Sequence, residues 1–231
     1  MTEKEFYYEL EKIGIVLSDN QKEQFKNYYK FLIHYNKKTN LTAIIDKDEV
    51  YLKHFYDSIL VSKYYSFTNE KILDIGAGAG FPSVPLLICF PNLSLTVLDS
   101  NNKKTKFLQE LKTVLGLNYN IVNDRAELYV NKTNEKYDIV VSRAVANLRI
   151  LMELSIPFLK INGLFISYKS NTKDELLNID NCLNKLSSTI NKVETTLLKD
   201  DIKRSFIFIQ KNKKTDNKYP RDYSKIKKNP L

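Results

Sequence analysis

Two patterns of hydrophobic residues divide the chain. Within the first 66 residues, apolar side chains recur every three or four positions, as at Phe6 and Leu10, and this spacing predicts amphipathic helices. Gly14 is expected to end the first helix. Ser18 and Gln21 then fit a capping box, in which each side chain satisfies an open backbone donor. The sequence therefore predicts a helical N-terminal segment.

Two further helices are predicted in this segment. The inward face of the second helix comprises Phe25, Tyr28, Leu32 and Tyr35. Residues 36–46 are expected to be a connector, and a third helix is predicted over 47–64. Its inward positions are Val50, Phe55 and Ile59.

After residue 69, short apolar runs alternate with helical stretches. Strands are predicted at 71–75, 93–98, 119–122, 137–141 and 164–168. A helix is predicted at 101–115, and this alternation indicates βαβ units around a parallel sheet. Runs 193–198 and 205–210 are separated by a short link, which suits an antiparallel hairpin at the sheet edge.

The chain is thus divided into a helical segment (1–66), an α/β domain (67–211) and a polar tail (212–231). Its 36 Lys and Arg exceed its 27 Asp and Glu, for a net charge of +9. Most of the imbalance lies in 203–231, with ten basic residues against two acids. A localised basic segment favours a polyanionic partner such as nucleic acid. A basic tail can also simply keep a protein in solution.

The amino-acid composition excludes several classes of protein. Hydrophobic residues make up 43% of the 231 positions, which excludes disorder for most of the chain. Apolar runs are far shorter than the roughly 18 residues needed to cross a bilayer, and no signal peptide is recognisable. Cys89 and Cys182 stand alone, so neither a disulfide framework nor a metal site is expected. We expect a cytoplasmic, monomeric protein without membrane or metal.

A glycine-rich turn carries the candidate chemistry. Asp74, Gly76, Gly78 and Gly80 follow a predicted strand and precede a helix, and a dinucleotide site would require Gly where Phe81 stands. Glycines let the backbone approach a ligand closely. The turn suits the amino-acid end of S-adenosylmethionine, with the carboxylate near its ammonium. The alternative is a purely structural βα turn.

Two other strand ends add candidate ligand contacts. Asp99 ends the second strand, 23 residues after Gly76, where an acid can accept both hydroxyls of a ribose. It could instead cap the next helix. Residues 124–127 follow the third strand, where Ala126 and Glu127 would border an adenine. Glu127 could also be a solvated acid in the first turn of a helix.

Seven short motifs follow one another along the chain. They are Asn-Leu-Thr-Ala-Ile at 40–44, His-x-x-Asp-Ser at 54–58, Asp-Ile-Gly-Ala-Gly-Ala-Gly-Phe-Pro at 74–82, Leu-Asp-Ser at 98–100, Arg-Ala-Glu at 125–127, Arg-Ala-Val-Ala at 143–146 and Tyr-Pro-Arg at 219–221. In this order the chain resembles the RsmG (GidB) family, bacterial small-subunit rRNA methyltransferases that modify N7 of a guanine.

The resemblance implies a class I S-adenosylmethionine-dependent methyltransferase fold behind a small helical N-terminal cap. That fold is α/β and Rossmann-like, with a mostly parallel sheet and an antiparallel C-terminal hairpin. The implied methyl donor is S-adenosyl-L-methionine, which leaves S-adenosyl-L-homocysteine. The implied substrate is guanine 527 in the 530 loop of 16S rRNA, within the small ribosomal subunit or its precursor. The cofactor-binding residues that the resemblance implies, with Asp99 added from the fold, are Gly76, Gly78, Phe81, Asp99, Ala126, Glu127 and Arg143.

The chain departs from the family pattern at two places. Ser83 replaces the last glycine of Gly-Phe-Pro-Gly, and we expect altered packing more than lost binding. The segment after Arg221 lacks the usual Gly-x-Pro and has Asp222 where a basic residue is common. This second departure concerns the contacts of the tail with RNA.

Guanine N7 carries a lone pair and no proton, so its methylation needs no general base and depends mainly on alignment. The catalytic residue is left open. Arg143 is a candidate for orienting the cofactor or a phosphate, or it pairs with an acid such as Asp138. His54 and Asp57, one helical turn apart, are interpreted as structural residues that hold the helical cap to the main domain. Rival functions are methylation of a small molecule or protein, and RNA binding without catalysis.

Overall fold

The computed structural model of the protein describes residues 1–143, 145–199 and 202–231. Ala144, in the 143–146 motif, lies outside the described residues, as do residues 200 and 201 of the predicted hairpin link. Helices and strands are numbered separately in chain order below.

The N-terminal segment is helical, as predicted. Helix α1 spans Glu3–Lys12 and α2 spans Asp19–Thr39. The predicted Ser18–Gln21 capping box is present at the start of α2, with both reciprocal hydrogen bonds formed. Helix α2 extends into the predicted connector and ends where Asn40 adopts a left-handed conformation, φ 49°.

The third predicted helix is one continuous helical run with changing geometry. It consists of α3 (Lys47–Val50), a π-helical turn (Tyr51–Tyr56), α4 (Asp57–Ile59) and a 3₁₀ turn (Leu60–Lys63). The three inward positions predicted for it are fully buried. The sequence pattern did not predict the π-helical turn, which carries His54 and directly precedes Asp57.

Within the described residues, seven strands form one sheet in the order β3-β2-β1-β4-β5-β7-β6. The strands are β1 (Lys71–Ile75), β2 (Ser94–Asp99), β3 (Asn120–Asn123), β4 (Tyr137–Arg143), β5 (Leu159–Lys169), β6 (Ser188–Leu197) and β7 (Lys203–Lys211). Strands β1 to β5 pair in parallel, and β7 runs antiparallel to both β5 and β6. The predicted parallel sheet and C-terminal hairpin are therefore both present.

The remaining helices cover the sheet or lie at its ends. They are α5 (Ser83–Cys89), α6 (Asn102–Leu115), α7 (Ala126–Tyr129), α8 (Leu148–Ser155), a 3₁₀ turn (Ile156–Phe158), α9 (Asp180–Lys185) and α10 (Tyr223–Lys228).

Alternating side chains of the strands enter two hydrophobic cores. On β7, Phe206 and Phe208 join one core, and Ile207 and Ile209 join the other. The first core also contains the buried face of α1 and α2 and the run over 47–63. The helical N-terminal segment and one face of the sheet thus share a continuous core, and the division at residue 66 stays a prediction.

The C-terminal segment requires a correction, because it is not a free polar tail. Tyr219, Ile226 and Leu231 are buried in the second core. Arg221 donates its backbone N–H and its Nε to Oε1 of Glu153 on α8, at 2.9 and 2.8 Å, and its Nη2 to Oε2 at 2.7 Å. Glu153 is fully buried, so this charge needs a partner.

Replacing Arg221 by Ala should therefore destabilise the protein by about 2 kcal/mol, since it leaves a buried carboxylate without its cation. Arg221 is itself partly exposed, which limits the loss. The free energy of unfolding in urea measures the effect. Lys218→Ala, which breaks the exposed pair with Asp216, is the matched control and should change stability by less than about 0.5 kcal/mol. Equal effects of the two variants would contradict the prediction.

Candidate active site

A cleft of ≈ 520 Å³ lies at the carboxyl ends of β1 and β2. The seven residues predicted to bind a cofactor all line this cleft: Gly76, Gly78, Phe81, Asp99, Ala126, Glu127 and Arg143. They come from the ends of strands β1, β2 and β4 and from the start of α7. The parallel sheet brings these strand ends to one edge, which is where ligands bind in open α/β sheets.

The glycine turn has backbone angles that require glycine. Gly76, Gly78 and Gly80 have φ values of 73°, 60° and 92°, in the left-handed region. A Cβ on Gly80 would lie 2.6 Å from the Tyr28 hydroxyl, and one on Gly76 would lie 2.5 Å from Val145. The turn is therefore shaped both by its own angles and by close neighbours on either side.

Asp74 is a fully buried carboxylate beneath this turn. The Ser83 hydroxyl donates to Oδ2 at 2.6 Å, whereas Oδ1 has no hydrogen-bond partner among the described residues. Burial raises the pKa of Asp74 to about 7, although the Ser83 hydrogen bonds and the nearby Arg143 act in the opposite direction. An unpaired buried acceptor is costly, and a cationic ligand group would satisfy it.

Asp99 reaches into the cleft from the end of β2. Its Oδ2 accepts the backbone N–H of Gly78 at 2.9 Å, and its Oδ1 accepts that of Asn101 at 2.8 Å. Each carboxylate oxygen has a second lone pair for a ligand hydroxyl. The alternative that Asp99 caps α6 is wrong, since Asn101 is the capping residue and accepts from Lys103.

The cleft is also lined by residues of three helices, namely Glu127 of α7, Leu154 of α8 and Tyr223 of α10. Glu127 has a side chain only 9% exposed, so the alternative of a solvated acid is wrong. Leu154 and Tyr223, which the sequence pattern did not predict here, both line the cleft. The apolar spacing Tyr219, Tyr223, Ile226 within the basic segment was the available signal.

Phe81 is held by aromatic neighbours from the helical N-terminal segment. Its ring stacks with those of Tyr28 and His54, with centroids 5.4 and 4.5 Å apart. The Tyr28 hydroxyl donates to the carbonyl of Ala79 at 2.5 Å. Phe81 thus connects the N-terminal helices to the glycine turn, and its contacts favour this structural role over stacking on a substrate base.

Arg143 occupies the end of β4 and does not pair with Asp138. That acid instead accepts from Lys160 at 2.7 Å and from the backbone of Lys71. Arg143 donates Nη1 to Oδ2 of the fully buried Asp57 at 2.8 Å, and Arg204 donates Nε to Oδ1 of the same carboxylate. The expected ion pair is present, but its acid comes from the helical N-terminal segment.

His54 contributes a neutral imidazole to the same wall. Its Nε2 lies 2.9 Å from the Thr42 hydroxyl and its Nδ1 lies 3.4 Å from Nη2 of Arg143. Burial, with the charge of Arg143 adding to it, lowers the pKa of His54 to about 3. Both ring nitrogens have protein partners, which agrees with the structural role predicted for His54 and Asp57.

Among the described residues, no helix is long and apolar enough to cross a membrane. Within the same part of the chain, no three His, Cys, Asp or Glu side chains are grouped so that they could hold a metal ion.

The sheet order and cleft define the chain as a class I S-adenosylmethionine-dependent methyltransferase fold. The structure of precorrin-6y C5,15-methyltransferase from Geobacter metallireducens matches with a TM-score of 0.53, 18% identity, and coverage of 68% of this chain and 87% of that chain. At this identity the match concerns the fold alone, and it confirms the predicted fold class.

The chain belongs to the GidB family, described as rRNA small subunit methyltransferase G, whose model matches residues 21–207. It is 47% identical over 223 residues to ribosomal RNA small subunit methyltransferase G of Staphylococcus epidermidis, covering 94% of this chain and 93% of that protein. The protein of the same name from Streptococcus pyogenes is 46% identical over the full length of both chains. The resemblance to this family is confirmed.

The pKa of Asp74 makes a testable contribution to stability. Burial raises this pKa to about 7 in the folded protein, from near 4 in an unfolded chain. The folded state therefore retains the proton to higher pH, and ionisation destabilises the ligand-free protein as pH rises from 4 to 7. The stability of the wild type relative to Asp74→Asn should fall by about 3 kcal/mol over this range.

Urea unfolding at pH 4 and pH 7 measures this difference. Asp216→Asn is the control, because hydrogen bonds from the backbone and side chain of Lys218 lower the pKa of the exposed Asp216. Its stabilising effect is lost only as pH falls below about 4, so the difference for Asp216→Asn should stay nearly constant between pH 4 and pH 7. A pH-independent difference for Asp74→Asn would show that this carboxyl is not destabilised by burial.

Proposed function

We propose that the protein transfers a methyl group from S-adenosylmethionine to N7 of a guanine in 16S rRNA, guanine 527 of the 530 loop, in the cytoplasm. Membership of the GidB family supports an rRNA substrate. The observation that carries the N7 assignment is that both ring nitrogens of His54, the one histidine of the cleft among the described residues, already have protein partners. Within this proposal, the seven predicted residues that line the cleft bind S-adenosylmethionine.

The residues of the cleft fit S-adenosylmethionine group by group. The carboxylate of Asp99 suits the ribose hydroxyls, and the buried carboxyl of Asp74, next to the glycine turn, would add negative charge near the ammonium. Leu98, Ala126 and the aromatic ring of Tyr223 provide apolar surface for a purine. When bound, the cofactor supplies an electrophilic methyl group on a sulfonium sulfur.

The wall facing the methyl acceptor suits a nucleophile that carries no proton. His54 is neutral, but its two ring nitrogens lie against Thr42 and Arg143. Asp74 is fully buried beneath the turn. Guanine N7 requires no proton transfer, so these residues need only orient the reactants and exclude water. Arg143 is assigned to orientation, since Asp57 fixes its guanidinium at the edge of the cleft.

The basic C-terminal segment is positioned to contact RNA. Helix α10 buries Ile226, while Lys225, Lys227 and Lys228 are exposed on its surface. Tyr223 of the same helix lines the cleft. Phosphate contacts from these lysines would therefore be made beside the purine end of the cofactor site.

Gly76→Arg should abolish binding of S-adenosylhomocysteine, measured by isothermal titration calorimetry. The arginine side chain would enter the cleft, and its Cβ would meet Val145. Gly14→Arg is a matched control, because Gly14 also has a positive φ, 84°, but a Cβ there meets nothing within 4 Å. Unchanged affinity in a folded Gly76→Arg protein would contradict the cofactor assignment.

The reaction itself is tested by mapping N7-methylguanine in 16S rRNA from cells with and without this gene. The modification at guanine 527 should be absent without the gene, and the purified protein should restore it to that rRNA in vitro. Transfer to another position would contradict the N7 assignment. Cofactor binding without transfer to any rRNA or small-subunit particle would favour the rival small-molecule or protein substrate.

A further inference from the structure

A second cavity of ≈ 420 Å³ lies next to the cleft and shares two lining residues with it. Side chains of His54 and Arg143 line both cavities. Five further charged side chains line this space: Lys53, Asp57, Lys169, Glu175 and Arg204. We call this space the second cavity.

The second cavity lies on the other side of the point where the strand order reverses. The cleft lies at the ends of β1 and β2, whereas Arg143 and Lys169 end β4 and β5. Strand β7 runs antiparallel to β5, with Lys169 paired to Ser205, so Arg204 lies at the same edge. Two ligands bound in adjoining cavities at this edge would meet at the shared wall.

The second cavity has an excess of positive charge. Four cations line it, Lys53, Arg143, Lys169 and Arg204, against the carboxylates of Asp57 and Glu175. His54 adds no charge, because burial and Arg143 lower its pKa to about 3. The net charge of these groups near pH 7 is therefore about +2.

Asp57 and Glu175 pair with part of this positive charge, and the remaining N–H donors are available to a ligand. Asp57 is fully buried and accepts from both arginines, and Glu175 accepts from Lys169 at 2.7 Å. Among the described residues, Arg204 bonds to Asp57 through Nε, which uses one of its five N–H donors. Lys53 has a side chain 35% exposed and makes a surface pair with Glu49. An anion could therefore bind to both Lys53 and Arg204 without breaking the Asp57–Arg143 pair.

We propose that the second cavity binds the RNA nucleotide that carries the target base, with its phosphate against Lys53 and Arg204. This inference rests on the proposed function. The volume lies in the range of ligand pockets, and the excess positive charge matches a phosphodiester. The base would then reach the cleft past Arg143 and His54, the two residues common to both cavities. The nucleotide must be unstacked from its neighbours to enter, as in other enzymes that modify bases.

The test uses the full-length double variant Lys53→Gln/Arg204→Gln and unmethylated, protein-free 16S rRNA. Two readouts are needed: binding of this rRNA without cofactor at several salt concentrations, and KM and kcat for methyl transfer. The affinity for S-adenosylhomocysteine is measured in parallel. Lys30→Gln, an exposed lysine that lines neither cavity, is the control for loss of charge, and Arg204→Lys tests rescue.

We expect the double variant to raise KM for rRNA about tenfold and to reduce the salt slope of binding by about 1 per cation removed. Its affinity for S-adenosylhomocysteine should stay within twofold of the wild type. Lys30→Gln should leave KM within twofold, and Arg204→Lys should retain most of the affinity for rRNA.

Three outcomes would overturn the proposal in distinguishable ways. If the wild type methylates rRNA and the double variant has the same KM and salt slope, the second cavity does not hold the nucleotide, while the proposed function stands. If the double variant also loses affinity for S-adenosylhomocysteine, the two cations support the fold of the site and do not bind RNA. If the wild type methylates no rRNA, the proposed function is wrong, and the proposal for the second cavity, which rests on it, is wrong as well.

Discussion

The site depends on one buried carboxylate, that of Asp57. It accepts hydrogen bonds from Arg143 on β4 and Arg204 on β7, residues 86 and 147 positions away in the sequence. Removing Asp57 would leave both guanidinium groups without their carboxylate in a poorly solvated position, so the loss of this residue is costly. Because Asp57 belongs to the N-terminal helical run, the cluster fixes that run against the sheet edge. It also holds Arg143 where the two cavities adjoin.

The helical N-terminal segment is consequently part of the active-site structure. Its Tyr28 and His54 stack against Phe81, and the Tyr28 hydroxyl holds the carbonyl of Ala79 in the glycine turn. A Cβ on Gly80 would displace that hydroxyl, so the glycine permits the close approach of the helix. The same contacts that complete the hydrophobic core therefore fix the backbone that faces the cofactor. Catalysis by alignment requires such rigid support.

The sequence predicted the parts of the site that follow from local patterns. Strand β1 has the predicted bounds, and the ends of β1, β2 and β4 bring Gly76, Asp99 and Arg143 to one cleft because parallel strands end at one edge. The partner of Arg143 could not be predicted, since ion pairs between distant residues leave no periodic signal. The folded C-terminal segment was missed for a related reason. Its lysines dominate the composition, whereas three spaced apolar residues and a buried Glu153 determine its packing.

Ser83 shows how a departure from a family motif can change chemistry as well as packing. The sequence predicted altered packing where this serine replaces glycine. In the structure the Ser83 hydroxyl donates to Asp74, an interaction that a glycine could not make. That hydrogen bond favours the ionised carboxyl, whereas burial favours the neutral form and is the larger effect. A cationic ligand group in the cleft would act in the same direction as Ser83 and favour the ionised carboxyl. The serine therefore reduces the free energy that such a ligand must supply to ionise the site.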